Sequence, residues 1–211
     1  MEGSVVIVAG GDLPCPEGLK AVAKRAGLVV AVDGGLSRAR AVGIPVHVLV
    51  GDLDSLQETP LPPGLKVLKH PAEKDATDLE LALDYAVGLS PRELHLFGAL
   101  GKRLDHTLAN LNLLERYQIP ITIHHGRETL YAVSGELVLG AARVGDRVSL
   151  IPLSSSVTGV HTQGLRYPLT GGTLKRASSR GVSNEVTSLP CWIELEAGRL
   201  LVIHAQERRQ A

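Results

Sequence analysis

Short apolar runs alternate with amphipathic stretches over the first 120 residues of the chain. The apolar runs are rich in β-branched residues and stop at glycine or aspartate, so we interpret them as buried strands; the stretches between them have apolar residues at helical spacing. The predicted strands are residues 4–9, 28–32, 47–50, 66–69, 94–97 and 121–124, and the predicted helices are residues 17–26, 36–42, 77–87 and 104–117, with Thr77 as a helix cap. This alternation predicts a mostly parallel sheet with helices on both faces.

The pattern changes near residue 128, where helical periodicity is lost. Short alternating runs follow at residues 129–133, 136–139, 147–152, 157–162, 193–196 and 200–204, separated by turns that contain glycine. Short strands at this spacing are typical of a β-sandwich. We therefore predict an α/β region followed by an all-β region: an N-terminal, mostly parallel, Rossmann-like sheet domain over residues 1–127 and a C-terminal β-sandwich domain over residues 128–211.

Charge and composition argue against some classes of binding partner. The 22 basic residues equal the 22 acidic ones, whereas a protein that binds nucleic acid normally has a basic excess. No apolar run has the length of a membrane helix, and residues 1–10 lack the pattern of a secretory signal. Cys15 and Cys191 lie far apart in the sequence, which favours a reduced compartment. We expect a cytoplasmic protein with neither a nucleic-acid nor a membrane partner.

The placement of aspartate is the feature most informative about function. Eight of the nine aspartates lie before residue 106. Those in the loops that leave predicted strands are Asp33, Asp52, Asp54 and Asp105. In an open α/β sheet such loops gather at one edge, where ligands bind. Any one of these residues could be a helix cap or a turn former. Together, however, carboxylates at one edge would repel one another unless a cation lies among them, and oxygen ligands of this kind suit Mg²⁺.

Basic and glycine residues near these aspartates indicate that the ligand is phosphorylated. Lys74, Lys102 and Arg103 lie beside the carboxylates in the sequence and could neutralise phosphate oxygens. The turns at residues 10–11 and 34–35 are Gly-Gly pairs, which would let the backbone approach a phosphate closely. No Gly-x-Gly-x-x-Gly motif follows the first predicted strand, which argues against a dinucleotide-dependent dehydrogenase.

An ordered set of short motifs resembles the thiamine pyrophosphokinase (thiamine diphosphokinase) family. The motifs are Ala31-Val-Asp-Gly-Gly35, Gly51-Asp-Leu-Asp-Ser55, Lys74-Asp-Ala-Thr-Asp78, Gly101-Lys-Arg-Leu-Asp-His106 and Gly181-Val-Ser-Asn-Glu185. The resemblance implies an enzyme that moves the β,γ-diphosphate of ATP to the hydroxyethyl oxygen of thiamine and releases AMP. It also implies a homodimer that holds thiamine near the subunit interface. On this basis residues 1–127 would bind ATP and Mg²⁺, and residues 128–211 would bind thiamine and mediate dimerisation.

The resemblance also suggests a role for each motif residue. The Mg²⁺ ligands, direct or through water, would be Asp52, Asp54, Asp75 and Asp78. Further contacts to ATP and its phosphates would come from Asp33, Gly34, Gly35, Lys74, Thr77, Lys102 and Arg103, with Asp105 near the reacting centre. Diphosphoryl transfer needs charge neutralisation and in-line positioning rather than a covalent protein intermediate. Which carboxylate accepts the thiamine hydroxyl proton, if any does, stays open.

Three residues of the C-terminal half are candidates for thiamine binding. Ser183 and Asn184 could hydrogen-bond an aminopyrimidine edge, or could simply form a β-turn. Trp192 could stack on a thiamine ring or pack in the core. Animal members of the family have their ring-stacking tryptophan nearer the C-terminal strand, where this chain has Leu200-Leu-Val-Ile-His204. His106 could orient Asp105 or cap the following helix.

Two other functions are compatible with the same residues. One is a diphosphokinase that acts on another hydroxymethyl heterocycle, such as a pterin. The other is a non-catalytic nucleotide-binding protein with a β-sandwich partner domain, although a binding module rarely needs so many carboxylates. Release of AMP from ATP, with and without thiamine, distinguishes the three.

Overall fold

The computed structural model describes residues 3–52, 61–71 and 73–207. The chain packs as two units: Met1–Leu113 together with Ile121–Gly126, and Leu114–Pro120 together with Arg127–Ala211. The chain enters the second unit for the last time at Arg127, one residue before the predicted second domain begins at residue 128. The sequence pattern did not predict that the earlier segment Leu114–Pro120 also belongs to the second unit. None of the helices in the described part of the chain is long and apolar enough to cross a membrane.

The first unit is a six-stranded parallel sheet. Its strands are β1 (Val5–Val8), β2 (Leu28–Val32), β3 (Val48–Gly51), β4 (Lys66–Lys69), β5 (Leu94–Phe97) and β6 (Ile121–His125). They lie in the order β6-β5-β1-β2-β3-β4. Every paired neighbour is parallel, for example Val6 with Val29 and Val8 with Phe97. The predicted parallel sheet is confirmed, and its central strand β1 is fully buried on both faces.

Four helices connect the strands: α1 (Pro16–Ala23), α2 (Gly35–Ala41), α3 (Asp78–Gly88) and α4 (Leu104–Leu113). Leu19 of α1 and Ala39 of α2 pack with Val6 and Val8 of β1 in one apolar cluster. Thr77 caps α3 as predicted, since its Oγ1 accepts a hydrogen bond of 3.2 Å from the Glu80 N–H. Helix α4 ends four residues earlier than the predicted limit at residue 117.

The second unit is built from two antiparallel sheets. Its strands are β7 (Glu128–Val133), β8 (Leu137–Val138), β9 (Arg147–Pro152), β10 (Ser156–Gln163), β11 (Gly172–Lys175), β12 (Asn184–Glu185), β13 (Trp192–Glu194) and β14 (Leu200–Ala205). One sheet has the order β12-β9-β14-β7 and the other β11-β10-β13-β8. Val148 and Val202 of the first sheet share one core with Val157 and Ile193 of the second, as expected of a sandwich. The sequence pattern did not predict the short strands β11 and β12.

Candidate active site

A cavity of about 380 Å³ opens at the carboxyl edge of the parallel sheet. It lies where the chain order reverses, because β1 has β5 on one side and β2 on the other. Ligand sites in open α/β sheets form at such a switch point. The lining residues come from the loops after β1, β2, β3 and β5, from the segment before α3 and from α4.

Three carboxylates line this cavity: Asp33, Asp52 and Asp78. The oxygens Asp33 Oδ1 and Asp78 Oδ1 are buried and accept no hydrogen bond from the residues that the structure describes. Burial raises the pKa of Asp33 to about 7, and the charges of Asp78 and Asp52 add to this effect. A side chain at Gly51 would overlap the Asp33 carboxylate, so this position requires glycine. The cavity therefore concentrates negative charge that the protein itself only partly neutralises.

Basic side chains lie beside these acids. Lys74 Nζ is 3.0 Å from Asp78 Oδ1, an ion pair without hydrogen-bond geometry, and it donates a 2.9 Å hydrogen bond to the Pro71 carbonyl. Lys102 and Arg103 also line the cavity, and both are exposed to solvent. The cavity thus offers anionic ligands for a cation and cationic groups for a polyanion.

Arg103 lines the cavity and is hydrogen-bonded to Asp105, which does not line it. Its Nη2 and Nε donate to the two carboxylate oxygens of Asp105 at 2.6 and 3.2 Å. This bidentate contact, helped by the His106 N–H, lowers the pKa of Asp105 to about 2. Asp105 therefore stays ionised and orients Arg103. The His106 backbone N–H also donates a 2.9 Å hydrogen bond to Asp105 Oδ1; this contact does not involve the imidazole, so both roles predicted for His106 stay predictions.

Seven of the predicted phosphate and metal residues line the cavity, namely Asp33, Asp52, Lys74, Thr77, Asp78, Lys102 and Arg103. Asp75 is exposed and, like Asp105, is not part of the lining. Asp54 lies outside the described residues. Gly34 and Gly35 do not line the cavity either. A side chain at Gly35 would overlap the Val8 carbonyl, so this glycine serves the close packing of α2 on β1.

Several lining residues belong to none of the sequence motifs, among them Gly98, Ala99 and Asn110. Asn110 is 8% exposed and its Nδ2 donates a 2.7 Å hydrogen bond to the Ala99 carbonyl. The sequence did contain one signal for Asn110: it is a polar residue on the side of a predicted helix that faces the core, where apolar residues are usual.

The three thiamine candidates lie in the second unit: Ser183 and Asn184 at β12 of one sheet, and Trp192 in β13 of the other. Ser183 is exposed, has a φ of 60° and directly precedes β12. Trp192 is half-buried in β13, and its Nε1 donates a 3.0 Å hydrogen bond to Gln163 Oε1. Asn184 is buried, and its amide is engaged by the backbone of Tyr167 on both sides, accepting at 3.0 Å and donating at 2.8 Å. Asn184 therefore holds the chain around Tyr167 in place.

The donor set of the cavity fits Mg²⁺. Across residues 3–52, 61–71 and 73–207, no three Asp, Glu, His or Cys side chains form a cage that could hold a metal ion without other ligands. Mg²⁺ does not need one, because it usually binds through one or two carboxylates together with water and substrate phosphates. The buried oxygens of Asp33 and Asp78, which accept no hydrogen bond, are suitable ligands of this kind.

Comparisons with known proteins agree with this geometry. The family model described as thiamin pyrophosphokinase, catalytic domain, matches residues 19–123, and the model described as thiamin pyrophosphokinase, vitamin B1 binding domain, matches residues 139–200. The chain is 29% identical to the thiamine pyrophosphokinase of Bacillus subtilis over 97% of this chain and 99% of the relative.

Solved structures agree as well. The crystal structure of thiamine pyrophosphokinase from Bacillus subtilis superposes with a TM-score of 0.84 at 28% identity, covering 97% of this chain and 100% of that one. The crystal structure of thiamin pyrophosphokinase from Geobacillus thermodenitrificans superposes with a TM-score of 0.79 at 32% identity, covering 97% and 98%. The order of the motifs, the cavity at the switch point and these matches along both units lead to one conclusion: the chain belongs to the thiamine pyrophosphokinase family.

Proposed function

We propose that this protein transfers the diphosphate group of ATP to thiamine, releasing AMP, with ATP and Mg²⁺ bound in the cavity of the first unit. Transfer of diphosphate from ATP to thiamine is the activity of the family. The observation that supports the site most directly is the pair of buried carboxylate oxygens, on Asp33 and Asp78, that accept no hydrogen bond within the described part of the chain. Their repulsion is relieved by a cation, and a cation in turn attracts phosphate.

Three side chains would hold the ion, directly or through water: Asp33, Asp52 and Asp78. Bound Mg²⁺ supplies charge neutralisation at the phosphates and a template for in-line attack. Lys74, Lys102 and Arg103 would neutralise further phosphate oxygens. Asp105 keeps Arg103 oriented through the bidentate contact. The roles predicted for Asp54 and Asp75 stay predictions, and the proposal does not depend on them.

Thiamine, in this proposal, binds to the second unit. Residues 139–200, which match the vitamin B1 binding domain, include Ser183, Asn184 and Trp192. Ser183 offers an exposed hydroxyl beside the exposed Val182 and near Tyr167, which is 66% exposed. The amide of Asn184 supports this segment through its contacts to the Tyr167 backbone.

The proposal also includes a cytoplasmic homodimer with shared sites. On α4, directly after the basic part of the cavity, Leu104 and Leu108 are 73% and 54% exposed and lie one turn apart. Val182 and Tyr167 form a second exposed apolar group beside Ser183. Contact with a second copy would cover such groups. The two cysteines are unpaired, which suits a reducing compartment.

The test of the reaction is release of AMP from ATP, measured with thiamine, with a hydroxymethylpterin and without an acceptor, in Mg²⁺ and in EDTA. The proposal expects AMP and thiamine diphosphate in equal amounts, only with thiamine and only with Mg²⁺. Turnover with the pterin alone would favour the other diphosphokinase, and nucleotide binding without turnover would favour a binding protein.

The test of the shared site is a mixture of two variants. Asp78→Asn impairs the cavity and Ser183→Gly impairs the thiamine segment. If each site uses the cavity of one protomer and the thiamine segment of its partner, a mixed dimer regains one intact site of two. Activity at low thiamine concentration should then rise after the variants are unfolded and refolded together. A mixture that is never more active than its separate components, or a monomer by light scattering, contradicts the shared site.

A further inference from the structure

Asn110 occupies an unusual place in helix α4. It is 8% exposed, whereas the helix leaves two leucines in solvent. A buried amide costs free energy unless it is hydrogen-bonded, and a leucine here would give a better helix. Its side chain donates a 2.7 Å hydrogen bond from Nδ2 to the Ala99 carbonyl. The contact joins α4 to the loop formed by residues 98–102.

Every carbonyl in the first four residues of this loop accepts a hydrogen bond. The donors are Gly11 N to Gly98 O at 2.7 Å, Asn110 Nδ2 to Ala99 O at 2.7 Å, Asp12 N to Leu100 O at 2.8 Å and Arg103 N to Gly101 O at 2.7 Å. In addition, Thr107 Oγ1 accepts a 3.1 Å hydrogen bond from the Gly101 N–H. The loop is thus held through its carbonyls by the turn that follows β1, by Arg103 and by α4.

The backbone N–H groups of the 98–102 loop, unlike its carbonyls, are not all hydrogen-bonded. The N–H groups of Ala99 and Lys102 donate to no acceptor within the described residues, although both residues line the cavity. Ala99 is only 4% exposed. Unpaired backbone donors are costly when buried, and unpaired backbone N–H groups at a cavity are suitable donors to an anion. Lys102 has a φ of 55°, which indicates that its backbone is held in a conformation that a free loop would avoid.

We propose that Asn110 and Thr107 are positioning residues that hold the 98–102 loop so that its Ala99 and Lys102 N–H groups bind the diphosphate group of the nucleotide. The inference rests on the proposed function for the identity of the anion. In this proposal Asn110 and Thr107 act through their hydrogen bonds to the loop rather than through contacts with the anion. Preorganised amide donors in a partly enclosed site stabilise a phosphoryl group strongly, because they need no reorganisation when charge develops.

The test uses neutral variants of nearly equal size. Asn110→Leu removes the donor to Ala99, and Thr107→Val removes the acceptor for Gly101, while Thr107→Ser retains it. Calorimetry measures the Kd of inorganic diphosphate with Mg²⁺ and, separately, of AMP, which lacks the transferred group. We expect diphosphate to bind at least tenfold more weakly to Asn110→Leu and Thr107→Val. Binding of AMP should stay within twofold, and Thr107→Ser should stay within twofold for both ligands.

The steady-state constants give a second readout. With ATP as substrate, kcat/KM should fall at least tenfold in the two impaired variants, while KM for thiamine stays within twofold. Asn112→Leu, on the exposed side of the same helix, is the matched control and should leave both Kd values unchanged. Thermal melting establishes that each variant is folded at the temperature of the binding measurements; Asn110→Leu should melt somewhat earlier than the parent chain, because the buried Ala99 carbonyl loses its donor.

Two results would overturn the inference. One is unchanged diphosphate binding in folded Asn110→Leu and Thr107→Val. The other is an equal loss for diphosphate and AMP, which would mean that these residues only support the general structure. Failure of the proposed function looks different: the parent chain would form no thiamine diphosphate, yet its binding of diphosphate would still depend on Asn110 and Thr107.

Discussion

Lys74 Nζ lies 3.0 Å from Asp78 Oδ1, and the two side chains are only 15% and 19% exposed. The lysine approaches the carboxylate from the turn that precedes α3, and the neighbouring Thr77 caps the helix that Asp78 begins. The position of the Asp78 carboxylate therefore depends on where this helix starts. The carboxylate pairs with Lys74 and also lines the cavity.

Asp78→Asn should abolish turnover. The amide keeps the shape of the side chain but removes the charge proposed to hold Mg²⁺ with the nucleotide, and loss of such a ligand reduces kcat by a factor on the order of 100 or more. Asp75→Asn is the matched control three residues earlier; because Asp75 is exposed and outside the cavity, we expect at most about a tenfold loss. A coupled AMP assay measures both, and a larger effect at Asp75 than at Asp78 would contradict the assignment.

Asp33→Asn should stabilise the metal-free protein. The carboxylate is disfavoured by burial and by the charges of Asp78 and Asp52, so a neutral amide removes an unfavourable interaction. At pH 8 in EDTA we expect a gain of about 1 kcal/mol, or a few degrees in Tm. Addition of Mg²⁺ and ATP should raise the Tm of the parent chain more than that of the variant. A lower Tm of the variant in EDTA would show that repulsion is not the dominant effect.

The hydrogen-bonded histidine pair of the first unit should make stability depend on pH. His95 Nδ1 lies 3.2 Å from His124 Nε2, and His124 stacks on Phe97. Burial, together with the charge of His95, lowers the pKa of His124 to about 4. Burial also lowers the pKa of His95, against the opposing effect of Glu93.

The unfolded chain takes up a proton at His124 near its ordinary value of 6.5, before the folded chain does. Stability is thus complete above pH 6.5 and is lost as the pH falls towards 4, by up to about 3 kcal/mol. Denaturant unfolding at several pH values should show this slope in the parent chain and a smaller one in His124→Gln. His125→Gln is the control, and its slope should match that of the parent chain.

Arg199→Met should destabilise the second unit. This arginine is 2% exposed and donates to the carbonyls of Leu114 and Ile119 at 3.2 and 2.8 Å, and to Ser134 Oγ at 2.8 Å. Burial lowers its pKa to about 10. Removal leaves buried carbonyls unpaired, which costs about 3 kcal/mol. Denaturant unfolding checks this, with Arg166→Met as the control; Arg166 pairs with Glu185 in solvent and should cost less than about 1 kcal/mol.

Ser183→Gly should raise KM for thiamine several-fold and leave KM for ATP within about twofold, because only ground-state contacts to thiamine are lost. Glycine removes the hydroxyl and adopts the φ of 60° found at Ser183 without strain. Ser188→Gly, a second exposed serine of the same unit, is the control. Equal effects of the two changes on KM for thiamine would argue against a specific role for Ser183.

Local sequence pattern was sufficient for most of the elements. The runs that became β1, β2, β3 and β5 were recognisable because strands buried on both faces need continuous β-branched or aliphatic residues. The pattern failed for β11 and β12, which are short and largely polar; β12 in addition forms by pairing with β9, which is not its neighbour in the chain. It also extended α4 beyond Leu113, because it held no information about Arg199, whose hydrogen bonds keep the carbonyls of Leu114 and Ile119 in the second unit.

The sequence by itself determined that Asp33, Asp52 and the 98–102 loop meet at one edge, because the carboxyl ends of parallel strands must lie together. It also carried the motifs that identify the family. Only the tertiary structure decided which neighbouring groups enter the cavity: Asp78 rather than Asp75, and Asn110 as an anchor of the loop. These choices depend on where a helix starts and which of its sides faces the sheet. Packing of distant segments sets both, so no local pattern of residues encodes them.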